Sequence, residues 1–283
     1  MSARGPARAH RLRDRAARTF LVGSACGWVG LLVLAPLAAI LYGAFREGPA
    51  RFFSSLLGDG GRHALLLTVA LAALAAVVNG VFGTLIAWVL VRERFRGRAL
   101  LNSLVDLPFA ISPVIIGFAL LLVLGPRGWL GPLVEASGAK IVFAWPAMAI
   151  ATIFVSIPFV IREVALVLEQ ADLDQEQAAY TLGAGAFTTF IKVTLPNIRW
   201  GLVYGVLLTT ARSLGEFGAV LVVSGGIANA TETGTLFVFR SLDDRRDLAA
   251  YSMSVALAGL SLALLLAMEL VKRRVRRASG AAR

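Results

Sequence analysis

Apolar residues run along this chain in long blocks rather than in alternation. Six stretches, at about 20–45, 64–91, 100–124, 141–161, 200–224 and 249–271, are rich in Ala, Leu, Val and Gly and nearly free of charge. A hydrocarbon layer of ~30 Å takes about 20 helical residues to cross, and each stretch reaches that length. None alternates with period two, so helices are favoured over the ~10-residue alternating segments of a membrane β-barrel. The pattern predicts an all-α polytopic membrane protein with six transmembrane helices. Pro36, Pro108, Pro113, Pro146 and Pro158 fall within the spans, where neighbouring helices or water can re-satisfy the backbone groups they free.

Composition agrees. Of 283 residues, 58% are hydrophobic and 16% charged, against about 25% charged in soluble domains. The chain is also basic, with 28 Lys and Arg against 17 acids for a net charge of +11, a balance that by itself points equally to nucleic acid. The distribution decides. Residues 1–19, 92–99, 162–199 and 272–283 together hold 19 of the basic residues, and the segments between the other span ends hold eight. The positive-inside rule then places both termini in the cytoplasm, and nucleic acid is not expected as a partner. Basic tails at 1–19 and 272–283 flank a permease domain at 20–271. The first apolar run is longer than the core of a secretion signal and no small-x-small cleavage site follows it, so it reads as an uncleaved span. Cys26 is the single cysteine, and His10 and His63 are far apart in sequence. No intrachain disulfide, cysteine metal cluster, histidine metal site or histidine triad is expected, and no catalytic residue is assigned.

The segment at 162–199 differs from the other loops. Ala165 to Ala179 pairs apolar positions with Glu169, Asp172, Asp174 and Glu176, and a second piece runs from Ala186 to Leu195, closed by Pro196, which cannot continue a helix. Gly183 and Gly185 supply a tight break between them. The expectation is a short helix–turn–helix on the cytoplasmic face. As an amphipathic loop it could simply rest on lipid headgroups.

Its spacing is more specific than that. Gln177-Ala178-Ala179, three residues, Gly183, nine residues, then Val193-Thr194-Leu195-Pro196 resembles the cytoplasmic motif of permease subunits in binding-protein-dependent ABC importers. Gln177 stands where the motif has an acid and Val193 where it has Ile, with Glu176 one residue away from the acidic position. The resemblance implies a type I importer permease fold and a coupling segment, about 165–196, that docks on an ATPase subunit. Glu176, Gln177, Ala178, Ala179, Gly183, Val193, Leu195 and Pro196 carry it. The runs LVDLPFAISPVIIG, FVSIPFVIREV, TLPNIRWGLVYGVLL and GEFGAVLVVSG resemble sulfate/thiosulfate permeases, and the W-type subunit more than the T-type.

Charged residues deep within spans include Asp106 in the third, and Arg212 and Glu216 in the fifth. A lone charge at mid-bilayer costs about 2.5–3.5 kcal/mol on insertion scales. Arg212 and Glu216 are four apart, so they share a helix face and can pair. Two readings stay open. The pair either lends positive potential to an anion pathway or only fixes helix packing. Ser112-Pro113, in mid-span, either lines the path or kinks a helix for packing, and Gly215 and Gly218 beside Glu216 permit a break or a close contact. GAGAFTTF at 183–190 lacks the Lys-Ser/Thr of a phosphate loop and follows no strand, so no cofactor is expected on this chain.

The resemblance implies that ATP and Mg are used by two partner ATP-binding subunits. It also implies a homologous T-type permease as heterodimer partner and a periplasmic or surface-anchored sulfate/thiosulfate-binding protein, all at the bacterial inner membrane. A homodimeric molybdate or tungstate permease is the near alternative. An ion-gradient-driven anion transporter is the distant one, although the two halves of the chain show no internal repeat of the kind such transporters commonly carry.

Overall fold

The computed structural model describes residues 6–58 and 60–280, with side chains described at 18–58 and 60–273. Helices account for the architecture, and no strand occurs among the described residues. In chain order they are α1 (Pro6–Phe45), α2 (Pro49–Leu57), α3 (Gly61–Arg92), α4 (Arg98–Ala110), α5 (Pro113–Leu124), α6 (Gly131–Ala136) and α7 (Trp145–Gln170). After these come α8 (Leu173–Thr181), α9 (Ala186–Thr189), α10 (Leu195–Leu214), α11 (Gly218–Val223), α12 (Gly234–Asp243) and α13 (Asp247–Gly280).

Among the described residues, four helical stretches are long and apolar enough to cross a membrane: Arg18–Phe45 in α1, all of α3 and α7, and Asp247–Arg273 in α13. Helices α4 and α5 qualify together but bend by 114° at their junction. The run 100–124 is therefore a broken helix. The cause is local: Ser112 takes φ −58° and ψ 135°, the extended conformation that a following proline imposes. The run 200–224 is broken as well, since α10 stops at Leu214 and the helix restarts at Gly218. The run 141–161 continues past its apolar end, because α7 carries on to Gln170.

Helices α3, α7 and α10 form the centre. Their backbones approach through small residues, as membrane helices do when packing rather than water drives association. A Cβ on Gly83 would lie 3.0 Å from Val160, one on Gly201 2.6 Å from Val167, and one on Gly205 3.1 Å from the Val160 Cα. Ala87, Leu90, Val160, Ile161, Val164, Leu168 and Ile198 are buried between them. A polar thread crosses this core. The Asn79 amide donates to the Ile153 carbonyl at 3.1 Å and to Ser156 Oγ at 2.9 Å, and the Thr209 hydroxyl donates to the Ser156 carbonyl at 3.4 Å.

The bundle has two distinct ends. One gathers Arg92, Glu176 and Asn197 around α8. At the other, Thr68 Oγ1 accepts from the Gly234 N–H at 2.7 Å, and the loop before α12 buries Glu232 against Arg240 at 2.8 Å. Burial pushes the Glu232 carboxyl up, while the Arg240 and Arg246 guanidiniums pull it back down. Helix α1 stands apart. It meets α13 near its last turn, where Gly43 lies under the Tyr251 ring, and none of its most apolar window is buried.

Candidate functional site

Two groups of residues stand out, one at the α8 end and one at the two helix breaks. Helix α8 begins where Asp172 Oδ1 accepts the Asp174 N–H at 3.0 Å. Asp is a preferred N-cap, and this cap separates α8 from α7 at Ala171 and Asp172. The predicted piece 165–179 is thus the last turn of α7 followed by a separate helix. Asp174 and Glu176 fall in the first turn of α8, where acids complement the helix dipole. The helix ends in a capping turn: Leu182 N–H bonds the Ala178 carbonyl, Gly183 N–H that of Tyr180, and Ala184 N–H that of Ala179. Gly183 has φ +83°, the left-handed geometry glycine adopts without a steric penalty, so the tight break sits where the sequence puts it.

The second piece is not closed by Pro196. Helix α9 passes through a π-helical turn, Phe190–Thr194, directly into α10, with the Leu195 N–H bonding the Phe190 carbonyl. Proline has no N–H to donate and its ring clashes with the carbonyl four residues back. Widening the register just ahead of Pro196 relieves both problems, and Pro196 then sits in the first turn of α10, where its missing donor costs nothing.

Glu176 faces into the bundle. Its Oε1 lies 3.1 Å from Arg92 Nη2 at the end of α3 and accepts from the Thr194 hydroxyl at 3.0 Å. Glu176 and Arg92 are nearly buried there, so the acid one residue off the motif position fastens α8 to α3 and to the π turn. Gln175 adds an amide contact with Asn197 at 2.9 Å. Gln177 and Ala178 are exposed, Ala179 half-buried, Val193 and Leu195 partly buried. The outward side carries Leu182 at 88% and Phe187 at 80% exposure, with Leu173 and Tyr180 nearby. This end therefore shows an apolar surface on a base fixed by ion pair and hydrogen bonds.

The helix breaks meet each other. A Cβ on Gly117 of α5 would lie 2.6 Å from the Ala219 carbonyl of α11, and one on Gly218 would lie 3.1 Å from Pro113. Beside this crossing is a cleft of about 330 Å³, room for roughly ten water volumes. Pro108, Ser112, Pro113, Val155, Phe159 and Arg212 are among its lining residues. Ser112, Pro113 and Arg212 thus come together from separate helices. Arg212 Nη1 is 2.9 Å from Glu216 Oε2, with Glu216 almost buried and Arg212 one-third exposed. The other carboxylate oxygen of Glu216 accepts the Ala219 N–H at 3.0 Å, and its backbone carbonyl accepts from the Thr235 hydroxyl at 2.7 Å. Glu216 therefore does three things at one break: it restrains Arg212, caps α11 and receives the first turn of α12. Gly215 ends α10 next to it.

Sequence reasoning missed a second ion pair. Arg162, grouped by composition with the loop, lies inside α7. Its Nη2 is 2.6 Å from Asp106 Oδ2, its Nε donates to Asp106 Oδ1 at 2.9 Å, and its Nη1 donates to Asn102 Oδ1 at 2.9 Å. Asp106 is therefore paired with a partner 56 positions away. Only the span's continuation past residue 161 would have revealed it. Arg92, the partner of Glu176, was likewise read as a topology charge alone.

With this arrangement in view, the comparisons are informative. Residues 79–277 match the family described as binding-protein-dependent transport system inner membrane component. The chain is 45% identical, over 92% of its length and 91% of the relative's, to the sulfate transport system permease protein CysW of Synechococcus elongatus. Against the sulfate transport system permease protein CysT of Escherichia coli the identity is 37%, over 90% of this chain and 92% of that one. A bacterial ABC transporter involved in the import of the acidic polysaccharide alginate superposes with a TM-score of 0.76 at 17% identity, over 94% of this chain and 99% of that chain, a likeness of fold. The chain belongs to the binding-protein-dependent transport system inner membrane component family, as a CysW-like permease.

Proposed function

We propose that this chain is the W-type membrane subunit of an ATP-driven importer that moves sulfate, and thiosulfate with it, across a bacterial inner membrane. The observation that carries the proposal is near-full-length similarity, at 45% identity, to a protein named as a sulfate transport permease. The geometry fits that role. With six passes and cytoplasmic termini, the α8 end faces the cytoplasm and offers Leu182 and Phe187 to an ATPase subunit. Closure of the ATPase dimer on ATP would move α8. Glu176 would pass that motion to α3 through Arg92 and to α10 through Thr194.

The binding protein would hand over the oxyanion at the end opposite α8, from where it reaches the cleft at the helix breaks. There Arg212 offers the guanidinium, whose five N–H donors suit an oxyanion. Contact with Glu216 engages one of its nitrogens. This chain makes and breaks no covalent bond in that scheme; ATP and Mg are used by two partner subunits. A T-type permease completes the path as a heterodimer, and a periplasmic or surface-anchored binding protein delivers the anion.

The test is reconstitution. A tag on this chain should bring down an ATPase and a second permease, and the complex in proteoliposomes should take up radiolabelled sulfate only with ATP and the binding protein present. Uptake by the isolated chain without ATP contradicts the proposal, and preferential uptake of molybdate replaces its substrate.

A further inference from the structure

Below the Arg212 cleft lies a ladder of side chains that the pathway reading does not use. On α4 the residues are Asn102, Asp106 and Phe109, at helical spacings of four and three, and on α7 they are Arg162, Phe159 and Val155. The rungs meet in order. Arg162 binds Asp106 and Asn102 at the lower rung. The Phe109 and Phe159 rings meet edge to face with centroids 5.2 Å apart at the middle one. Phe109, Phe159 and Val155 then line the cleft that holds Arg212. At 1.5 Å per residue, Arg162 is ~10 Å along α7 from Val155 and ~12 Å from the α8 end of that helix.

Arg162 and Asp106 remain 36% and 49% exposed although both lie within membrane-embedded helices. Ionised groups at that depth face water or another polar surface rather than lipid. Arg162 is also wired differently from Arg212. Asp106 engages two of its nitrogens and Asn102 the third, with the Asn102 carbonyl a further acceptor at 3.3 Å. Arg212 has one carboxylate contact. Passage through a pore needs sites attractive enough to enter and weak enough to leave. A guanidinium whose charge is balanced by Asp106 meets the second requirement.

Resting on the reading that this chain carries an oxyanion, we infer that Arg162, Asp106 and Asn102 form a second, low-affinity site for a tetrahedral dianion on the cytoplasmic side of the Phe109–Phe159 pair. The anion steps from Arg212 past the two rings and displaces Asp106 from part of the Arg162 fork. Asp106 then re-forms the pair and expels it. Asp106 is the element that keeps this site from holding its cargo.

Asp106→Asn, Arg162→Ala and the double variant separate this site from an ion pair that merely fastens α4 to α7. Each complex is purified through a tag on this chain, and sulfate binding is read by equilibrium retention of radiolabelled sulfate alongside uptake in proteoliposomes. Asp106→Asn should bind sulfate about tenfold more tightly while its uptake falls about tenfold. Adding Arg162→Ala should abolish the gain in binding, and Arg212→Ala in the Asp106→Asn background should keep it. If Arg162→Ala does not assemble, Arg162→Lys, which loses the two-pronged geometry, serves in its place and should also abolish the gain. Equal losses in Asp106→Asn and Arg162→Ala, with no gain in binding, overturn the inference. A wild-type complex that takes up no sulfate overturns the transport reading instead, and sulfate retention by Asp106→Asn still reports on this site.

Discussion

The α8 segment, proposed to couple to the ATPase, and the cleft at the helix breaks are built from the same kinds of parts and differ in how far apart those parts lie in sequence. At the α8 end, one stretch from Asp172 to Pro196 contains the cap, the left-handed glycine, the acid and the π turn. In the cleft, Pro113, Val155 and Arg212 arrive from three different helices. The first region is a local conformation fastened by a long-range ion pair, Arg92–Glu176. The second is almost wholly tertiary, held by backbone approach at Gly117 and Gly218. Changes in the first should therefore uncouple the machine while leaving the bundle intact. Changes in the second should alter the bundle or the passage itself.

The sharpest way to break this contrast is at the crossing of α5 and α11. Gly117→Val places a Cβ within 2.6 Å of the Ala219 backbone carbonyl, which no side-chain motion relieves. Overpacking of this kind costs about 1–3 kcal/mol or more. Purified yield and melting temperature should collapse, and normal assembly would remove the close crossing from consideration. Next is Glu176→Ala. It leaves Arg92 nearly buried without its carboxylate, a loss of about 3–5 kcal/mol where such a pair is well buried and less here at the bundle's edge. Uptake should fall at least about tenfold while sulfate retention is unchanged, because the lesion is in transmission. Glu176→Gln, which keeps the acceptor for Thr194, should retain more activity than Glu176→Ala.

Leu182→Asp together with Phe187→Asp tests the outward surface. Both side chains are largely exposed, so the melting temperature of the chain should stay within a degree or two, while the ATPase subunit disappears from pull-downs. Retention of that subunit would mean α8 contacts something else. The mildest change is Gly183→Ala. At φ +83° it costs about 1 kcal/mol, and it should lower uptake a few-fold without altering sulfate retention.

These two regions also explain what was legible in the sequence. Gly183 could be read because its constraint is local, a sign of φ. Arg212 and Glu216 pair as their spacing of four suggested, although α10 ends at Leu214 and Glu216 sits in the break rather than on a shared helix face. Pro196 was misread as a stop because proline's penalty was applied to an α-helix, whereas a π turn absorbs it. The 114° bend at Ser112 was visible only as a proline, while the close approach of Gly117 to α11 beside it is a tertiary contact that no local pattern encodes. Arg162 was lost among topology charges because apolar content falls before α7 ends, and its partners on α4 belong to contacts that no local pattern encodes.

The separation of coupling from passage is tested most directly in Arg212→Ala, by the amount of sulfate taken up per ATP hydrolysed in proteoliposomes. The variant complex should keep its ATPase subunit and its ATP turnover, because the α8 surface and the Glu176 contacts are untouched. Sulfate delivered per ATP should drop about tenfold or more as the guanidinium is removed from the cleft. A variant complex that transports with the wild-type ratio, or one that loses the ATPase subunit, would contradict the assignment of passage to Arg212 and coupling to α8.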